Sequence, residues 1–307
     1  MKYNLSGIIR TFAQLSIIGF IINSCVKPVD LSLDSITKPV LVVDGQLTDL
    51  NLNNYVRLTW SRDAKNTSVV PVDSAVVIIA SDDGDIDTLL NERLVETKYD
   101  DPLFEGYYYA TKLQCRSGRT YHLTVDVDGN RYEADAFLPA VTQIDQVNLQ
   151  YVEGYPINSH SYLPLLSFTE PKPEKNYYMT QICPKSSYTG ELIKRVPCKF
   201  SDAIWNVAIL DDEHLPAYVK DLDINVGATP SPVHKGWLWL GDYRAYLYSL
   251  TPEAYRHYQA LIKSIESDGG VYSPTPANAP TNIKSKQPVA GFFNASGVSQ
   301  YDFTVEE

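Results

Sequence analysis

Methionine is almost missing from this 307-residue chain, which has 2, and histidine and cysteine are scarce, at 5 and 4. The scarcity removes whole classes of chemistry. His122, His160, His214, His234 and His257 are scattered without ligand spacing. No Cys-x-x-Cys or Cys/His cluster offers the converging ligands of a structural zinc site. Gly-x-Ser-x-Gly, His-Glu-x-x-His and a phosphate-cradling glycine loop are absent, so no hydrolase elbow, zinc-protease helix or nucleotide loop can be built. The apolar stretch at residues 15–22 is too short for a membrane-spanning helix, which takes roughly 20 residues. Basic clusters are missing too: 26 Lys and Arg stand against 37 Asp and Glu, a net charge of −11. Such a chain is repelled by nucleic acid and by anionic lipid heads. The composition reads as a non-enzymatic protein with no cofactor, no metal and no nucleic-acid partner.

What is present begins at the N-terminus. Lys2 and Arg10 flank the start of an apolar stretch, no acid occurs before Asp30, and the stretch ends in Asn23-Ser24-Cys25. A basic region, an apolar run and a small residue before the cut describe a secretory signal. A cysteine directly after the small residue resembles the bacterial lipobox, in which that cysteine is acylated and becomes the first residue of the mature protein. Residues 1–24 are thus expected to be a lipoprotein signal peptide, with Cys25 the lipidation site. Pro28, Asp30, Ser32, Asp34 and Ser35 break any regular pattern, so residues 25–38 read as a tether. A multiply acylated cysteine holds a chain on a membrane stably, whereas one short acyl chain is marginal. Without residues 1–24 the chain carries 24 basic and 37 acidic side chains, a charge of −13.

Tyrosine is abundant, at 22 residues, and proline reaches 19. Aromatic and β-branched residues broken by frequent turn signals describe a β-rich protein. Val56, Leu58 and Trp60 alternate with Arg57, Thr59 and Ser61, the period of a half-buried strand. Tyr121, Leu123, Val125 and Val127 share one face, and Tyr132, Ala134 and Ala136 alternate after Asp128-Gly129. An Asp-Gly pair between alternating runs is the strongest short-range hairpin signal. Residues 39–140 therefore read as an N-terminal β-sandwich of the immunoglobulin or transthyretin kind.

Residues 141–307 read as a second β-rich domain with one α-helix near 252–267. Thr251 can cap that helix, Pro252 suits its first position and Glu253 complements its dipole. Leu250 and Tyr255 are placed for a hydrophobic staple. Tyr255, Tyr258, Leu261, Ile262 and Ile265 form one apolar face. The chain closes with two strand-like pieces, 289–294 and 301–305.

The candidate site residues are few. Asp82, Asp83, Asp85 and Asp87 surround Gly84; they offer oxygens to Ca²⁺, and equally fit a solvated β-turn. Asp211-Asp212-Glu213-His214 reads either as a cation site, or the seed of a hydrolase centre, or as an exposed acidic loop. Trp237 and Trp239 share one face of a strand with Tyr243 nearby; exposed they would stack on a ligand, buried they would be core. Cys183 and Cys198 are flanked by Pro184 and Pro197. They form either two buried thiols or a disulfide, which for a loop of this size stabilises by about 3 kcal/mol. Cys115 is left over and reads as a small buried hydrophobe. The triplets at Ser35, Ser74 and Thr88, each Asp-Ser/Thr-aliphatic, resemble the O-glycosylation sites of exported Bacteroidota proteins, and also fit turn chemistry.

Several segments together resemble a family. They are Val42-Val43-Asp44-Gly45-Gln46-Leu47-Thr48-Asp49, Asp73-Ser74-Ala75-Val76-Val77-Ile78, and Gly118-Arg119-Thr120-Tyr121-His122 leading to Phe137-Leu138-Pro139. Pro280-Thr281-Asn282-Ile283 with Gly291-Phe292-Phe293-Asn294-Ala295-Ser296 completes the set. The chain resembles domain-of-unknown-function family 4249, Bacteroidota outer-membrane lipoproteins often encoded beside TonB-dependent receptors. The resemblance implies a lipid-anchored protein of the outer membrane, at the cell surface or on its periplasmic face, that is an accessory or ligand-binding partner of a TonB-dependent transporter. It carries over no catalytic residues. The alternative reading is a fimbrial or adhesin subunit assembling by strand exchange, with 301–305 as the donor.

Overall fold

Asp128-Gly129 forms the turn that its sequence predicts. In the computed structural model both residues have positive φ, 51° and 73°, as a two-residue hairpin turn requires. The structure describes residues 39–50, 54–61, 70–91, 105–152, 161–185, 207–224, 238, 240–266 and 279–306, all within one compact unit, Lys38–Glu307. The signal peptide, Cys25, the tether, Cys198, Trp237 and Trp239 lie outside the described residues.

The strands of the first segment are β1 (Leu41–Thr48), β2 (Tyr55–Trp60), β3 (Val70–Pro71), β4 (Val76–Ser81), β5 (Ile86–Thr88), β6 (Leu90–Asn91), β7 (Tyr107–Tyr109), β8 (Thr120–Val127) and β9 (Asn130–Phe137). There follow β10 (Ile144–Val152), β11 (Ser161–Thr169), β12 (Tyr177–Pro184), β13 (Val207–Asp211), β14 (Tyr218–Asp223) and β15 (Gly241–Leu250). The helix α1 (Pro252–Glu266), β16 (Lys284–Ser285) and β17 (Val289–Val305) complete the order. The protein is mainly β, as composition and alternation predict.

One long sheet organises the whole unit. Its order is β13-β12-β15-β17-β1-β2-β7-β6, with β3 beside β2. Two smaller sheets, β16-β9-β8-β4-β5 and β10-β11-β14, pack on the same side of it. Leu41, Val43, Leu47, Val56, Leu58 and Phe293 from the long sheet meet Val77, Ile79, Tyr121, Leu123 and Val125 in one core. Tyr178, Ile182, Ala245, Leu247 and Val305 meet Leu166, Phe168 and Val219 in a second. Full burial of each such aliphatic side chain contributes about 1.5–3 kcal/mol.

β17 departs from the sequence reading. The chain is expected to close with two short pieces, yet Val289–Val305 is one unbroken strand of 17 residues. Its first half pairs parallel with β1, from Leu41↔Val289 to Thr48↔Ser296. Its second half pairs antiparallel with β15, from Ser249↔Gly297 to Gly241↔Val305. Gly297, between the halves, serves close packing: a Cβ there would lie 2.6 Å from the Pro139 carbonyl oxygen. β17 thus carries the sheet from the first core into the second.

The helix lies on the opposite side of the long sheet. Thr251 Oγ1 accepts the Ala254 N–H at 3.2 Å, the cap that the sequence predicts. Glu253 sits in the first turn and Lys263 in the last, where each complements the helix dipole. Ala254, Tyr255, Tyr258 and Ile262 pack on Met179, Tyr248, Leu250, Phe292 and Val298 in a third core. No helix among the described residues is long and apolar enough to cross a membrane.

Candidate functional site

Alternation along β1 sends Leu41, Val43 and Leu47 into the first core and leaves Val42, Asp44 and Gln46 on the helix side. Register then assembles that side from segments far apart in sequence. Asp44 lies opposite Arg57 on β2 and Phe292 on β17. Arg57 lies opposite Tyr107, and Tyr55 opposite Tyr109, on β7.

The triple tyrosine of β7 splits between the two sides. Tyr108 enters the core, where its hydroxyl donates to the Val72 carbonyl at 2.9 Å and accepts the Ala75 N–H at 3.0 Å. Tyr107 and Tyr109 face the other way, their rings stacked 5.8 Å apart at 11°. Tyr55 meets Tyr107 edge-on at 5.1 Å. The Arg57 guanidinium lies 5.0 Å from the Tyr107 ring centre, a cation–π arrangement.

β15, β12 and α1 extend this face. The Tyr246 and Tyr248 rings are 5.9 Å apart, and the Tyr248 hydroxyl donates to Gln181 Oε1 at 3.1 Å. Tyr255 of the helix packs on Tyr177 at 4.8 Å. His257 stacks on Phe292 at 4.6 Å, with Nδ1 2.7 Å from the Pro280 carbonyl oxygen. Asn294 Nδ2 donates to Ser296 Oγ at 2.9 Å.

The electrostatics centre on Asp44. Its surface is exposed, yet the surrounding protein strips enough water from its carboxyl to push it up to about 6, against the pull of Arg57. Asp44 stands in a cluster with Arg57, Tyr55 and Tyr258 on the helix side of the sheet. Burial pushes the phenols of Tyr55 and Tyr258 up, and the nearby Asp44 charge pushes both further. Tyr55 also senses Tyr107, Tyr258 and Tyr248. The cluster therefore brings together phenols that stay neutral, one carboxyl and one guanidinium. It can stack flat groups and exchange hydrogen bonds with hydroxyls.

The model of a family described as a domain of unknown function, DUF4249, matches residues 26–302. The chain belongs to the DUF4249 family. No curated protein matches it.

Those site residues expected from sequence that are described fall elsewhere in this DUF4249 chain. Tyr243 points to the opposite side of β15, half-buried against the second core. It stacks on Phe303 at 5.7 Å and 20°, so it is no part of the tyrosine face. The acidic run does not act as a unit. Asp82 and Asp83 face Arg119 at 3.6 and 3.3 Å, Asp85 is exposed, and Asp87 is buried on backbone N–H groups. Asp211 Oδ1 accepts the Glu213 N–H at 3.2 Å, and buried Asp212 lies 3.8 Å from Lys172 Nζ. No group of three or more His, Cys, Asp or Glu that could hold a metal ion occurs among the described residues. Cys183 is buried near the end of β12. Cys115 is buried too, with Asn54 Nδ2 3.3 Å from its sulfur and its thiol pushed up to about 12 by burial. Ser74 and Thr88 are exposed. Residues 301–305 are hydrogen-bonded to β15, a pairing that strand exchange would have to open.

The tyrosine face was missed in sequence. Its signal was the tyrosine count and the alternation of Tyr55 with Val56, Tyr107 with Tyr108 and Tyr246 with Leu247. What alternation cannot supply is which strands lie side by side.

Proposed function

We propose that this DUF4249 protein is a non-enzymatic lipoprotein, held on the outer membrane by a lipid on Cys25, that serves a TonB-dependent transporter as an accessory or ligand-binding partner. One observation carries the ligand-binding part. Beyond its apolar patch under α1, the helix side of the long sheet is lined with tyrosines, an arginine and an exposed carboxylate. Aromatic side chains with a few convergent polar groups are the usual lining of a ligand site. The basic, apolar and Ser24-Cys25 pattern at the N-terminus supports the anchor, and membership of the family supports the setting. A lipid anchor needs no membrane-spanning helix.

Affinity purification of the full chain from detergent-solubilised outer membrane tests the reading. The expected result is co-purification of a TonB-dependent receptor, with Cys25→Ala moving the protein out of the membrane fraction. Recovery of the protein alone, with the receptor present in the input, overturns the partnership. Unchanged membrane retention of Cys25→Ala overturns the anchor.

A further inference from the structure

The cluster around Asp44 has a charge balance that narrows its ligand. Asp44 and Arg57 are register partners on β1 and β2, and the Arg57 guanidinium already occupies one face of Tyr107. A cationic ligand would meet Arg57, and an anionic one would meet Asp44. A neutral ligand meets both groups favourably when it brings hydroxyls, because a carboxylate only accepts hydrogen bonds and a guanidinium only donates them. Tyr55 and Tyr258 are half-buried and add phenols that both donate and accept.

The backbone narrows the choice further. An extended peptide binds a sheet by pairing with an open strand edge. β1 lies between β17 and β2, and β17 lies between β15 and β1. The strands beneath the cluster therefore have hydrogen-bonded neighbours on both sides, and recognition falls to side chains. Aromatic rings with planar hydrogen-bonding groups suit a sugar, whose ring offers an apolar C–H face and a rim of hydroxyls. We propose that the side-chain cluster of Asp44, Arg57, Tyr55 and Tyr258 binds a neutral saccharide, the ring lying against tyrosine and its hydroxyls bridging Asp44 and Arg57. The inference rests on the ligand-binding part of the function proposed above and names its ligand class.

The test presents the detergent-solubilised full chain to an array of neutral, acidic and amino-sugar oligosaccharides, with a neutral unstructured peptide alongside. Retention on neutral oligosaccharides is expected. Titration calorimetry with the best retained one then compares variants: Tyr55→Ala and Asp44→Ala each weaken binding about tenfold or more, as loss of a central contact does. Asp44→Ala alters an exposed side chain, so it remains informative if Tyr55→Ala does not fold. Retention of no neutral oligosaccharide overturns the inference. So does retention of only charged sugars or only the peptide, or unchanged affinity in Asp44→Ala. Receptor co-purification is read separately: a protein that brings down its receptor yet holds no neutral sugar refutes the ligand class alone.

Discussion

The Asp87 carboxylate accepts the Thr111 backbone N–H at 2.7 Å, across 24 positions of sequence. The same oxygen takes the N–H groups of Lys112 at 2.7 Å and Leu113 at 3.0 Å. A side chain that reads in sequence as a calcium candidate instead fixes the loop after β7 to β5. Asp87→Ala removes the acceptor for three donors, one of them on buried Leu113, and is expected to cost about 2–4 kcal/mol. Asp87→Asn keeps one oxygen and costs less. Urea unfolding of the three proteins measures the order, and equal midpoints would refute it.

Gly291 and Gly84 both have positive φ, 95° and 100°, but their surroundings differ. A Cβ at Gly291 would lie 1.9 Å from the Val43 carbonyl oxygen, whereas nothing lies within 4 Å at Gly84. Gly84→Ala therefore carries only the conformational penalty, about 1–2 kcal/mol. Gly291→Ala must also push β17 away from β1 and is expected to cost more than about 4 kcal/mol or to prevent folding. Thermal melts of the pair decide the matter, and similar losses would contradict it.

The Asp44 carboxyl ionises near 3.8 unfolded and is pushed up to about 6 in the fold. Between those values the folded state binds more proton, so stability falls as pH rises through the window. The penalty is absent below about 3.8 and complete above about 6. Asp44→Asn is thus expected to melt above the parent at neutral pH and level with it below pH 3.8. The gap is small, because solvent screens an exposed carboxylate. A gap that widens towards acid has the wrong sign and refutes the assignment.

Cys115 is 2% exposed, and its thiol is pushed up to about 12. The thiolate is the reactive form, so at mildly alkaline pH Cys115 should resist iodoacetamide in the native protein and react once the chain is unfolded. Peptide mass spectrometry after labelling in each state reads this directly. Equal labelling in both would show an open site. The same digest without reductant shows whether Cys183 and Cys198 are bonded.

Local signals were legible where the structure is local. Asp128-Gly129, the alternation on either side of it and the Thr251-Pro252-Glu253 start of α1 each act within a few residues, and each appears as read. β17 was legible only in part: its two ends read as strands, 289–294 and 301–305, but nothing local shows that residues 295–300 join them into one strand. The cluster around Asp44 was not legible. Asp44, Arg57, Tyr107 and Phe292 become neighbours through pairings among β1, β2, β7 and β17, and no periodicity encodes which distant strands pair. Tyr243 was singled out for being aromatic, but its position on β15 turns it inward.

The placement of β17 also sets when this protein can fold. Asp49 accepts the Val298 N–H from a residue 249 positions away, and neither core is closed until β17 arrives. Contacts so distant in sequence make folding slow. A chain emerging N-terminus first holds both hydrophobic faces open until nearly all of it has appeared. Under the export proposed above, in which the chain crosses a membrane as an unfolded thread, such late closure acts as a timer: it delays the native state until translocation is almost complete.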